Sequence, residues 1–400
     1  MSRCPKTCCY VLVLVGLVTG IISGAEGGKA DQEAINRRVE ALLKKMTLEE
    51  KFGQLLCYDG RTVSQALKSG DYLFGSIARG GVFRGKNAEE AAKKYNEIQK
   101  TVISKSRLGI PFIYHEEALH GLLLNQGTTY PQAIGLAASW NPQLVSRVAA
   151  AIAEEARARG VRQVLAPVIN IARDVRWGRV EETFGEDPYL TSRLAVAYCR
   201  EFESRGIVST PKHFVANVGD GGRDSHIVHF SERILREIYF PAFRACVQEA
   251  GARSIMAAYN ALDGIPCNAH PWLLTDVLRK EWGFRGFVVS DYVAVPWMIQ
   301  KHRTAATKEE ATAQAVIAGL EVECPRPTCF KEGLPKAVKS GLLPMPVLDE
   351  AVRRVLRVKF EIGLFDQPYA DPARAKALAD CAEFRALARE ACRQSIVLLK

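Results

Sequence analysis

Between residues 52 and 324 the chain repeats one alternation eight times: a short apolar run, then a segment of helical character. The runs are Phe52–Tyr58, Gly80–Phe83, Pro111–Tyr114, Val164–Pro167, Val208–Pro211, Ser254–Tyr259, Phe287–Ser290 and Leu320–Cys324. Their apolar character is continuous rather than alternating, as parallel strands covered on both faces require. The helices between them carry their own punctuation. Asn141-Pro142 opens a segment that closes at Gly160, Asp187-Pro188 one that closes at Gly206, and Ser231 one that closes at Gly251. A capping side chain stands at each start and a glycine just past each end. Eight such units predict a (β/α)8 TIM-like barrel, with a doubly wound open sheet as the competing architecture. Polar residues directly after the runs favour the barrel: Glu117, Lys212-His213, Tyr259-Asn260 and Asp291-Tyr292. A barrel gathers these positions on one face, whereas an open sheet spreads them along an edge.

Composition is that of a globular chain: 400 residues, 48% hydrophobic and 24% charged. Arg3 and Lys6 precede the uncharged stretch Tyr10–Ile22 and the small residues Ser23-Gly24-Ala25. That pattern predicts a signal peptide over residues 1–25 and a periplasmic or extracellular product, with no stable membrane insertion after its removal. The formal net charge of +10 falls by two when the leader is removed. Lys and Arg are interleaved with Glu along the helices, without a basic stripe or stacking aromatics, so no nucleic-acid partner is expected. Of 11 cysteines, eight lie beyond the leader, too sparse for a disulfide scaffold and without zinc-ribbon spacing. Cys324 and Cys329 flank a stiff Pro-Arg-Pro-Thr loop and are candidates for a local disulfide.

The strand-end set mixes carboxylates with cations and hydrogen-bond donors: Glu117, Lys212, His213, Tyr259 and Asp291, with Arg173-Asp174 and Trp177-Gly178-Arg179 nearby in the loop after Val164–Pro167. No Gly-rich phosphate loop and no G-x-S-x-G elbow is present. Sugars suit the set, because hydroxyls need paired donors and acceptors, and acetal cleavage needs carboxylates. His115 and His120 approximate H-E-x-x-H but stand five residues apart. On a helix they point about 140° apart and cannot share an ion. No metal and no cofactor is expected. A barrel lyase or metal-dependent hydrolase is the reading this weakens.

Five ordered strings carry a resemblance: His115–Gly121 (HEEALHG), Arg173–Arg179 with Phe184–Pro188 (RDVRWGR…FGEDP), Pro211–Phe214 (PKHF), Met256–Asn260 (MAAYN) and Gly286–Tyr292 (GFVVSDY). Together they resemble glycoside hydrolase family 3, over about Ile35–Lys400. The resemblance implies a retaining exo-β-glycosidase acting on terminal glucosyl or xylosyl residues of small oligosaccharides. It implies Asp291 as carboxylate nucleophile, with Glu117, Arg179, Lys212 and His213 on the sugar of the first subsite and Tyr259 beside the nucleophile. Lys212 and Arg179 are expected to lower the Asp291 pKa. Two positions depart from the family pattern. Glu117 stands where Asp is common, which narrows the space for a C6 hydroxymethyl and nudges specificity towards xylosides. Val215–Asp220 lacks the histidine of the N-acetylglucosaminidase branch, which disfavours that activity; arabinofuranosidase specificity stays open.

The resemblance further implies a barrel over residues 26–366. Residues 367–400 would be a linker and the start of a second α/β sandwich domain, Ser395–Leu399 being its first strand. The general acid is expected from that domain, since no remaining barrel acid is an evident donor. A non-catalytic sugar-binding barrel is the alternative from a different class.

Overall fold

The computed structural model describes residues 31–78, 83 and 85–400, so the predicted leader and most of the Gly80–Phe83 run lie outside it. Contacts divide the chain into two units, residues 1–45 and 46–400. In the first, residues 31–43 form a helix. The second holds the predicted architecture.

Five short strands pair in parallel in chain order: β1 (Cys57–Tyr58), β2 (Ser76–Ile77), β3 (Ile113–Glu116), β4 (Gln163–Val164) and β5 (Val208–Ser209). After β6 (Ser254–Ala257) come β7 (Ala261–Leu262) and β8 (Ile265–Pro266), an antiparallel hairpin in the loop. β6 then pairs in parallel with β9 (Phe287–Ser290). Isolated parallel bridges continue the order: Phe214 with Ala257, Val289 with Val322, and Leu56 with Glu323, which sets the last run beside the first. This is a TIM-like α/β barrel with its helices outside.

Caps set the helices where the sequence puts them. Asn141 accepts from the Leu144 N–H at the start of the helix Pro142–Ala158, and Asp187 from the Leu190 N–H before Pro188–Glu203. Gly160, at φ +83°, ends the first turn-out; a Cβ there would lie 2.3 Å from the Tyr95 ring, so no other residue fits.

Several expectations need correction. Phe52 and its neighbours lie not in a strand but in the helix Leu48–Gln54, started by a Thr47/Glu50 capping box, and only Cys57–Tyr58 is extended. The segment opened by Ser231 is interrupted before Pro241, whose missing N–H breaks the hydrogen-bond ladder. The segment expected as a linker holds two helices, Pro372–Leu378 and Ala382–Gln394, separated where Asp380 takes φ 51°. Both pack on barrel helices. Ser395–Leu399, expected as the first strand of a further domain, pairs with no strand among the described residues, and Leu398 and Leu399 are each 87% exposed; that expectation stays open. Cys324 and Cys329 are buried free thiols rather than a disulfide.

Candidate active site

Asp291 follows β9 directly. Its backbone N–H donates to Ala257 O of β6 (3.3 Å), and its Oδ1 accepts from the Tyr292 N–H (2.7 Å). Val293 completes the turn in the left-handed region (φ 61°), an unfavourable conformation for a β-branched residue, and donates its N–H to Cys324 O (3.1 Å). Asp291 is only 6% exposed, and among the described residues its Oδ2 has no hydrogen-bond partner. His213 Nε2 stands 3.5 Å from that oxygen.

Burial pushes the Asp291 carboxyl up to about 6, against Lys212, Arg179, the Tyr292 N–H and the Tyr259 hydroxyl, all of which lower it. The expected depression by the two cations is therefore present but outweighed by desolvation. His213 is pushed well below its ordinary value by burial, then by Arg179 and Lys212, so its imidazole is neutral. Asn170 orients it: the Asn170 amide donates to the carbonyls of His213 (2.9 Å) and Ala216 (3.2 Å), which leaves Oδ1 to face the His213 backbone N–H (2.8 Å) and Nδ1 (2.9 Å). Tyr259 packs against Trp297 with ring centroids 4.7 Å apart, and burial and the Asp291 charge both raise its phenol.

Beside this carboxylate lies a cavity of about 320 Å³ whose lining includes Glu117, His120, Arg179, Glu182 and Lys212. Lys212 Nζ is 2.7 Å from Glu117 Oε2. Arg179 makes a two-pronged pair with Glu182, Nε to Oε1 and Nη2 to Oε2, both 2.8 Å. Burial opposes the Arg179 charge, but Glu182 and then Asp291 and Asp224 outweigh it and hold the guanidinium above its usual range. Asp291, His213 and Tyr259 are not part of this lining; Lys212 and Arg179 join the two groups electrostatically. The volume is at the small end for ligand sites, about 300–1,000 Å³, and suits one sugar ring. A larger groove of about 1050 Å³ lies between the helices Pro142–Ala158 and Pro188–Glu203 and contains none of the strand-end residues.

All six predicted site residues thus fall in one neighbourhood. Three contributors escaped the sequence: Asn170, Trp297 and Asp224, whose charge reaches both Arg179 and Tyr259. Only the position of Asn170, shortly after a strand run, hinted at a role.

The family model described as "Glycosyl hydrolase family 3 N terminal domain" matches residues 47–358. The chain belongs to glycosyl hydrolase family 3. Among its relatives, the periplasmic β-glucosidase of Salmonella typhimurium is 36% identical over 390 residues, covering 92% of this chain and 48% of that protein. A putative β-xylosidase of Formosa agariphila is 35% identical, covering 92% and 51%. Of solved structures, a β-glucosidase from Erythrobacter marinus superposes with TM-score 0.87 at 36% identity, covering 92% of this chain and 50% of that one. The β-glucosidase of Listeria innocua in complex with glucose superposes with TM-score 0.82 at 32% identity, covering 91% and 52%. This family 3 chain spans about half the length of the relatives it matches.

Proposed function

We propose that the protein is a retaining exo-β-glycosidase that removes terminal β-D-glucosyl or β-D-xylosyl residues from small oligosaccharides. The observation carrying this is Asp291: a buried carboxylate with one unpartnered oxygen, at a strand end of a family 3 barrel, beside a cavity the size of one sugar. Asp291 attacks the anomeric carbon, and water then releases the glycosyl-enzyme with net retention. Lys212, Arg179 and Glu117 hold the hydroxyls of the sugar. His213, a neutral imidazole whose Nε2 stands 3.5 Å from Asp291 Oδ2, contacts a hydroxyl of the same sugar beside the nucleophile. Tyr259 supports the carboxylate through its hydroxyl.

Retention also needs an acid about 5–5.5 Å from the nucleophile. Glu117 is paired with Lys212 and Glu182 with Arg179, so neither is free to deliver a proton. The acid is assigned to a second α/β domain following the barrel, with Asp224 the rival within it. The related names include both β-glucosidase and β-xylosidase, and Glu117 tilts the choice towards xylose. Export, to the periplasm or beyond, agrees with the periplasmic relative, and no helix among the described residues is long and apolar enough to cross a membrane. The test is hydrolysis of nitrophenyl β-glucoside, β-xyloside, α-arabinofuranoside and β-N-acetylglucosaminide, with product anomer followed by NMR. Inverted product, or turnover of the N-acetylglucosaminide alone, overturns the reading.

A further inference from the structure

Three strands bring together a second constellation that the glycosidase chemistry does not use. Cys57 is on β1, His115 on β3 and Cys324 in the eighth run, and the Leu56–Glu323 bridge makes the two cysteines neighbours. All three side chains are buried, at 0%, 1% and 0% exposure. One ligand atom from each, two thiol sulfurs and an imidazole nitrogen, all lie within 4.8 Å of one another.

We propose that Cys57, His115 and Cys324 form a buried site for one thiophilic divalent cation of the zinc class, next to the turn that carries Asp291. Two soft thiolates and an imidazole are the donors such a cation prefers, and three protein ligands leave a fourth tetrahedral position open. Metal–sulfur bonds of about 2.3 Å and metal–nitrogen bonds of about 2.0–2.1 Å put tetrahedral ligand atoms roughly 3.6–3.8 Å apart. The present spread therefore closes by about 1 Å at most, within reach of side-chain rotation. Charge favours the same occupant. Two thiolates and a divalent cation sum to zero, which removes the penalty of burying either charge alone. Binding displaces the thiol protons of Cys57 and Cys324, which leave to solvent. The histidine spacing that argues against zinc in HEEALHG concerns His115 with His120. The ligands here come from elements far apart in sequence, so no spacing motif reports them. Tyr292 Oη stands 3.5 Å from His115 Nε2, which ties the site to the residue after Asp291.

The test uses the full chain, reduced and stripped of metal, titrated with cadmium chloride. The thiolate-to-cadmium charge-transfer band is expected to rise to saturation at one cadmium per chain and to be suppressed by added zinc. Cys57→Ser and Cys324→Ser are each expected to lose the saturable band, while Cys392→Ser, at an exposed cysteine, retains it. X-ray absorption on the zinc-loaded wild type, which needs no variant, is expected to count two sulfur ligands and at least one nitrogen. Absence of the band from folded wild type, or its persistence in the Cys57→Ser/Cys324→Ser double variant, overturns the proposal. So does a Cys57–Cys324 disulfide in protein isolated without reductant from an oxidising compartment, which makes the pair a redox couple instead.

Discussion

Lys212 Nζ lies 2.7 Å from Glu117 Oε2, and the lysine side chain is only 4% exposed. The pair joins the segments that follow β3 and β5, from the first and third of the five motifs, and forms one wall of the sugar-sized cavity. Its cation also acts on Asp291. One lysine therefore acts on both Glu117 and Asp291.

Replacing that lysine separates the two duties. Lys212→Met should lower kcat/KM by about 10- to 100-fold, the loss of a charged hydrogen bond of roughly 1.5–3 kcal/mol. Asp291 attacks only when ionised, so activity in the parent enzyme falls as pH drops through about 6. Lys212 lowers the Asp291 pKa, so its removal should move this acid limb to higher pH. The pH profile of kcat/KM checks both; a limb that stays in place removes Lys212 from the surroundings of the nucleophile.

Asp291→Asn should abolish turnover and stabilise the fold. The native carboxyl is raised to about 6, above the unfolded value, so the folded chain binds the extra proton at intermediate pH. The stabilisation this gives is complete below about pH 4 and lost as pH rises through about 6. At neutral pH the buried charge is a net cost, and the amide should recover up to about 3 kcal/mol of it. Denaturant unfolding at pH 7 and pH 4 measures the difference; a gain that is equal at both pH values contradicts the assignment.

Glu117→Asp shortens the side chain over the sugar by one methylene and lengthens its reach to Lys212. The ratio of kcat/KM for the glucoside to that for the xyloside should rise severalfold, as space opens for C6. An unchanged ratio places the C6 hydroxymethyl away from residue 117.

Asp224→Asn distinguishes the two sources of the acid. If the second domain supplies it, a disaccharide and an activated aryl glycoside should lose rate equally in this variant of the full-length enzyme. A selective loss of 100-fold or more on the disaccharide, whose leaving group needs the proton, assigns the acid to Asp224.

The barrel was legible from its repeated apolar runs, and the clustering of Glu117, Lys212, His213, Tyr259 and Asp291 because each stands at or just after the end of a run, so local order along the chain already places it in space; Arg179, in a loop, was placed by its motif alone. Relations between segments were not. Phe52 looked like strand because it is apolar and next to Cys57, yet the Thr47/Glu50 caps decide for helix. The lowering of the Asp291 pKa by Lys212 and Arg179 was legible, but the larger opposing effect of burial was not, because charged neighbours show in a sequence and the extent of desolvation does not. Asn170 behind His213, Asp224 near Tyr259 and the meeting of Cys57 with Cys324 all depend on how strands are seated around the barrel.

The Leu56–Glu323 bridge joins residues about 270 positions apart, and Lys359 Nζ reaches back to Gln54 Oε1 at 2.7 Å. During synthesis, β1 consequently has no partner on one side until the ribosome has passed residue 323. At about 5–20 residues per second that interval is roughly ten to fifty seconds. Throughout it the nascent polypeptide carries an open strand edge, the template on which unrelated chains aggregate. Holding factors that cover the edge are therefore expected to raise the yield of this protein more than slow refolding conditions do.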